Sequence, residues 1–181
     1  MHFLGISGSL RKQSYNTAAL QACQALLPPG ATMSLADIAA VPLYDDDVYQ
    51  QGFPASVQQL REQIQAADAL VIATPEYNYS MPGVLKNAID WASRPPSQPF
   101  DGKPVALIGA TPGGMGTSRA QYQLRQVFIA LNASVLNRPE VFISGAPSKF
   151  DGAGKLVDAA TLENLGKMLA ALAASARPRQ G

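Results

Sequence analysis

Along the chain, short solid apolar runs alternate with longer segments whose apolar residues recur every three or four positions. His2–Ile6 (HFLGI) is a compact apolar run closed by Ser7-Gly8, the pattern of a strand buried on both faces. Asn16–Leu27 (NTAALQACQALL) has helical spacing and is stopped by Pro28-Pro29-Gly30. Ala31–Leu35 reads as a weaker second strand. Asp37–Phe53 carries no clear period and includes Asp45-Asp46-Asp47, so a long surface loop is expected there. Pro54 opens a helix to about Ala67, and Asp68 introduces Ala69–Ala73 (ALVIA), a third strand. The next helix runs from Pro82, placed at its favoured first-turn position, to Ser93. After the proline-rich connection Arg94–Gly102, Lys103–Ala110 forms a fourth strand and Ser118–Leu131 a helix. Val135–Leu136 and Val141–Ile143 make a fifth strand interrupted near Pro139. Ala159–Ser175 is the last helix, so that residues 1–175 form one domain followed by a frayed tail, 176–181.

Five strands alternating with five helices predict a parallel sheet covered on both faces, because parallel strands need crossover helices. At 181 residues the flavodoxin-like arrangement, a three-layer α/β fold with strand order 2-1-3-4-5, suits the chain better than a six-stranded dinucleotide fold. In such sheets ligands bind beyond the carboxyl ends of the strands, where strand order reverses. The loops after the first, third and fourth strands are therefore the places to look for chemistry.

Composition narrows what that chemistry can be. The chain holds one cysteine, Cys23, and one histidine, His2, too few for a disulfide, an iron–sulfur cluster, a zinc site or a Ser/His triad. Cys23 reads as a small core residue and Asp45–Asp47 as a solvated trio, so no metal is expected. A formal charge of +1 provides no basic field for nucleic acid or anionic lipid. No run reaches the roughly 20 apolar residues of a membrane span, and no leader pattern precedes Ser7, so a cytoplasmic protein is expected. A chain this poor in Cys and His is expected to borrow its chemistry from a cofactor.

The loop Ser7–Asn16 (SGSLRKQSYN) joins a buried strand to a helix N-terminus, where free N–H groups and the helix dipole favour an anion. Ser9, Ser14 and Asn16 add short polar side chains, and Arg11 a planar donor fork suited to phosphate. The alternative for Ser14 or Asn16 is a plain helix N-cap; Lys12 reads as a solvated charge. The second loop, Thr74–Ser80 (TPEYNYS), offers two aromatics, an amide and a carboxylate to a planar polar ring. The third, Thr111–Gly116 (TPGGMG), permits close backbone approach to a ligand, although glycines also mark ordinary turns. Arg119, Tyr122 and Arg125 recur at helical spacing, as either a solvated face or a subunit interface. Trp91 and Ile89 belong to the core or to a subunit contact.

At GSLRKQSYN (Gly8–Asn16), PLYDDDV (Pro42–Val48), TPEYNYSMPGVLKNAIDW (Thr74–Trp91) and the glycine-rich run before RAQYQLRQ (Arg119–Gln126), the sequence resembles the NADPH-dependent FMN reductase family, especially its bacterial chromate and quinone reductase branch. The resemblance implies non-covalent FMN, reduction by NADPH or NADH, and transfer to quinones, chromate, azo compounds or free flavin. Position by position it implies that Ser9, Arg11, Ser14 and Asn16 hold the FMN phosphate, with Tyr15 also among the cofactor-binding residues. Glu76, Tyr77, Asn78 and Tyr79 would border the ring and ribityl chain, with Pro75 shaping the loop, and Thr111, Gly113 and Gly114 would approach the ring from the far side. It further implies a homodimer or homotetramer, with Arg119 and Tyr122 at contacts between subunits. Pro112 departs from the commonest form of the third loop and removes a backbone donor.

These residues imply an enzyme without a catalytic side chain, in which hydride passes from the nicotinamide to flavin N5 and onward in a ping-pong cycle. Two rivals stand beside it. A flavodoxin-type electron carrier would lack its own NAD(P)H turnover, but such carriers are strongly acidic and this chain has a pI near 7.8. A phosphate-binding regulatory domain would account for the first loop and leave PEYNY unexplained.

Overall fold

The computed structural model describes residues 1–176. Six strands form one parallel sheet: β1 (His2–Ser7), β2 (Thr32–Ala36), β3 (Ala69–Ala73), β4 (Pro104–Ala110), β5 (Ser134–Val135) and β6 (Val141–Ile143). The order is β2-β1-β3-β4-β5, with β6 also paired to β4, so the expected flavodoxin-like topology is present. Six α-helices connect and cover it: α1 (Tyr15–Ala25), α2 (Asp46–Tyr49), α3 (Ala55–Ala66), α4 (Gly83–Ala92), α5 (Ser118–Ala130) and α6 (Ala159–Ser175).

Successive side chains on a strand point to opposite faces, and the apolar runs accordingly feed two separate cores. Phe3, Val71 and Ile108 pack with Leu20 and Cys23 of α1 and Leu165, Leu169 and Leu172 of α6. Leu4, Ile6, Leu70 and Ile72 pack on the other face with Leu60 and Ile64 of α3, Leu85 and Ile89 of α4, and Leu124 and Phe128 of α5. Burial of five consecutive residues in β3 explains why ALVIA is apolar throughout rather than alternating. Trp91 is fully buried and Ile89 nearly so, which places both in the core.

The structure corrects the sequence reading at four places. Asp37–Phe53 is not all loop: the aspartates that suggested a solvated stretch instead start α2, with the Asp45 side chain accepting from the Asp47 N–H and Asp46 and Asp47 in the first turn. The helices are thus six, not five. The fifth strand is two strands, β5 and β6, pairing with different halves of β4 on either side of Pro139. Pro82 occupies the N-cap of α4 with an extended backbone (φ −68°, ψ 144°), one position before the helical turn expected for it. The expected frayed tail falls mostly on residues 177–181, outside the described residues; its first residue, Ala176, is buried against α6's core.

Candidate functional site

β1, β3 and β4 end side by side. The strand ladder continues one step into the loops, with the Gly8 N–H donating to Ala73 O at 2.8 Å and the Thr74 N–H to Ile108 O at 2.9 Å. The loops after these strands therefore leave the sheet together. They enclose a cleft of about 230 Å³. Ser9, Arg11, Ser14, Tyr15 and Asn16 enter it from the first loop, Pro75, Glu76 and Tyr77 from the second, and Thr111 and Pro112 from the third, with Ala110 between. Thus ten residues from three separated motifs line one cleft, Pro112 among them. Asn78, Tyr79, Gly113 and Gly114 lie outside this cleft, farther along the same loops.

The first loop gathers polar side chains and an arginine around the start of α1. Ser14 is the N-cap of α1, and its Oγ accepts from the N–H groups of Asn16 (3.2 Å) and Thr17 (3.4 Å). No acidic residue occupies the first helical turn, so nothing in α1 offsets the positive helix end. The Ser9 Oγ accepts from the Arg11 N–H at 3.4 Å. The Arg11 guanidinium lies 5.3 Å from the Tyr15 ring centre and makes no ion pair among the described residues. Lys12 is exposed and likewise without an ion pair there.

Asn16 has another task. Its buried side chain donates through Nδ2 to Ala110 O (3.0 Å) and accepts through Oδ1 from the Ala110 N–H (2.8 Å), clasping α1 to the end of β4. Its amide is thereby spent on the backbone at the floor of the cleft rather than left for a phosphate. Tyr15 packs its ring on Phe150, with centroids 4.8 Å apart, so the segment after β6 supports the first loop from behind. Sequence reasoning passed over that segment because it shows no period.

The second loop contains a tight hairpin. Tyr77 and Ser80 exchange two backbone hydrogen bonds of 3.0 and 2.9 Å around Asn78 and Tyr79. Those two residues have φ of 50° and 65°, the left-handed pair that a two-residue hairpin turn demands. Left-handed backbone costs a non-glycine residue roughly 1–2 kcal/mol, so surrounding contacts must hold Tyr79 there. Both Tyr77 and Tyr79 are exposed, at 57% and 66%. Among the described residues the N–H groups of Glu76 and Asn78 have no partner, which leaves them as donors toward a ligand. The Glu76 carboxylate turns to α5, where Oε1 accepts from Arg119 Nη1 and Oε2 from the Ala120 N–H, each at 3.2 Å.

The third loop hands the chain to α5 through Gly116 (φ 57°) and Thr117 (φ 67°). A Cβ at Gly116 would lie 2.6 Å from Phe142 Cβ, so only glycine fits that turn. At Gly109, inside β4, a Cβ would run into the Thr74 carbonyl and Thr117; its absence lets the second and third loops approach each other. Gly113 and Gly114 have open space around them, and the Gly114 N–H has no partner among the described residues. Arg125 is drawn to Leu136 O (3.0 Å) and to Glu140 (3.7 Å), so it braces the β5–β6 segment rather than reaching outward. Tyr122 stays half exposed at 52%.

The Tyr15 N–H at a helix N-terminus without acidic residues, an arginine with no ion pair among the described residues and a neighbouring loop of exposed aromatics fit a phosphate-bearing planar ligand such as FMN. Among the described residues no group of three His, Cys, Asp or Glu side chains could hold a metal ion. No helix there is long and apolar enough to cross a membrane. Cys23 is fully buried in α1, and burial pushes its thiol from 9.0 to about 12, which suits a core residue and not a nucleophile.

Comparison with known proteins agrees with this geometry. The chain is 60% identical to an NAD(P)H-dependent FMN reductase of Pseudomonas aeruginosa, covering 93% of this chain and 91% of that one. It is 47% identical to a quinone reductase of Escherichia coli K12, over 91% and 89% of the two chains. Among solved structures, the flavoenzyme NAD(P)H:(acceptor) oxidoreductase of Paracoccus denitrificans superposes with a TM-score of 0.85 at 35% identity, over 94% of both chains. Residues 1–148 match the NADPH-dependent FMN reductase family as a whole, and the chain belongs to that family.

Proposed function

We propose that the protein is an FMN-dependent NAD(P)H oxidoreductase whose acceptors are quinones and related small molecules. The observation that carries this reading is the single cleft into which all three motif loops converge, with Arg11 unpaired at the helix N-terminus and the aromatic hairpin opposite. FMN, when bound, would supply the redox chemistry between the nicotinamide and the acceptor. The chain binds and orients. Arg11, the Ser9 and Ser14 hydroxyls and the Tyr15 N–H, the one first-turn N–H of α1 without a partner among the described residues, would take the phosphate. The N–H groups of Glu76, Asn78 and Gly114, without partners among the described residues, would be available to the polar edge of a ring, and Tyr77 would line it. No side chain in the cleft is placed as a nucleophile.

Relatives described as a quinone reductase and, in Burkholderia sp, as a 2-hydroxy-1,4-benzoquinone reductase at 42% identity support quinone as the acceptor class. The exposed Tyr77 and Tyr79 rings would give such planar acceptors and the nicotinamide an apolar approach. We infer that the active assembly is a homodimer or homotetramer, with the half-exposed Tyr122 and the exposed part of Arg119 as contact residues, and that it works in the cytoplasm.

Anaerobic mixing with NADPH tests the reading. Rapid bleaching of the oxidised flavin band, followed by its recovery on adding a quinone, is the expected result. A yellow protein that NADPH leaves oxidised would be an electron carrier, and a chain that takes up no FMN would be neither.

A further inference from the structure

The ring-side loop cannot hold its own shape. The Tyr77–Ser80 hairpin has only two internal backbone bonds and keeps a tyrosine in the left-handed region. Its other tethers run to one element, α5. The Glu76 carboxylate, its side chain only 10% exposed, takes both Arg119 and the Ala120 N–H. The Arg119 Cζ stands 4.0 Å from the Tyr79 ring centre. Gln123 donates to Tyr79 O at 3.2 Å and accepts from the Ser80 hydroxyl at 2.5 Å.

Helix α5 in turn depends on the loop. Its N-cap, Thr117, is left-handed and makes no side-chain cap bond, and no acidic residue lies in its first turn. Glu76, 44 residues earlier in sequence than Ala120, supplies the missing cap and the missing negative charge. The first turn of α5 continues directly from the glycine-rich loop. One carboxylate therefore joins two walls of the cleft.

We propose that Glu76 and Arg119 form a positioning pair for hydride transfer: closed onto the first turn of α5, they fix the height and tilt of the ring-side loop relative to the glycine-rich loop, and so the placement of the flavin ring between them. This rests on the flavin reductase reading above. It assigns the Glu76 carboxylate a role away from the ring, since both its oxygens are occupied, and it gives Arg119 an intrachain task. A misplacement of about 1 Å in such a site costs on the order of a hundredfold in rate, so a modest loosening is measurable.

The test uses the FMN-loaded protein and four variants, Glu76→Gln, Arg119→Met, Arg119→Lys and the double variant Glu76→Gln/Arg119→Met. Visible circular dichroism of the bound flavin and its reduction rate at saturating NADPH are read alongside the melting temperature. Glu76→Gln and Arg119→Met are each expected to slow reduction roughly tenfold and to change the flavin's dichroism, with a smaller change in the KM for NADPH. The double variant is expected to be little worse than the more severe single, because interacting residues are not additive. Arg119→Lys, which keeps the charge, should recover part of the loss. Single variants with wild-type dichroism and reduction rate would overturn the proposal even if they melt earlier, since the pair would then support only the fold. Fully additive losses would overturn it as well. Uptake and bleaching by the wild type report on the functional reading separately.

Discussion

The two loops that face each other across the cleft manage charge in opposite ways. In the first, Arg11 and Lys12 have no ion pair among the described residues, and the helix they precede has no acid in its first turn. In the second, the carboxylate of Glu76 is matched internally by Arg119 and a helix N–H, and the guanidinium is further stacked on Tyr79. Both arrangements sit at a helix N-terminus, α1 in one case and α5 in the other. One terminus is capped only by the neutral Ser14 hydroxyl, the other already holds the carboxylate of Glu76. The difference teaches which of two similar features awaits a ligand: the anion expected at α1 must come from outside, whereas α5 has its anion in Glu76.

The largest effect should come from the residue that blurs this contrast. Asn16 lies in the open loop yet is a buried clasp, so Asn16→Leu strands the N–H and C=O of Ala110. At about 1–3 kcal/mol for each unsatisfied group, roughly 3 kcal/mol of stability is lost. Melting should fall by about 6–12 °C in a chain of this size, and a fall of a degree or less would show that the clasp is dispensable.

Arg11→Ala acts on the ligand alone. Removing one charged partner of a phosphate should weaken FMN binding by roughly 1.5–3 kcal/mol, about ten- to a hundredfold in Kd, while leaving the melting point of the FMN-free protein in place. Retention of FMN through gel filtration equal to that of the wild type would break the comparison at its centre.

The rear face of α1 should be indifferent to the ligand and sensitive to pH. Burial holds the Cys23 thiol protonated up to about 12, against 9.0 ordinarily. The folded state then keeps a proton that the unfolded state releases. The stability contribution is whole below about pH 9 and is lost as pH rises toward 12, by about 1.4 kcal/mol per pH unit. Urea unfolding at several alkaline pH values should therefore fall more steeply for the wild type than for Cys23→Ala; parallel slopes would contradict the burial. The smallest effect belongs to Lys12→Ala, a loss of FMN affinity of less than about fivefold, as a screened surface charge contributes about 0–1 kcal/mol.

How far the sequence reaches is clear from particular residues. ALVIA is β3 residue for residue, and Ala159–Ser175 is α6, because solid apolar runs and long periodic helices carry their signal locally. The three loops followed from the strand ends, which the structure brings side by side. α2 escaped because four residues are too few to show a period. The β5–β6 split escaped because each strand is defined only by its pairing with β4. The tasks of Asn16 and Glu76 were out of reach for a different reason. Their partners stand 94 and 43 residues away in Ala110 and Arg119, and only folding tells an amide that binds a ligand from one that binds the backbone.

Titration of the FMN-free protein with FMN and with riboflavin, which differ only in the phosphate, tests the central claim most directly. If the open end of α1 with Arg11 is the phosphate site, two or more charge-assisted hydrogen bonds at about 1.5–3 kcal/mol each should make FMN bind at least a hundredfold more tightly than riboflavin. Equal affinities would contradict it.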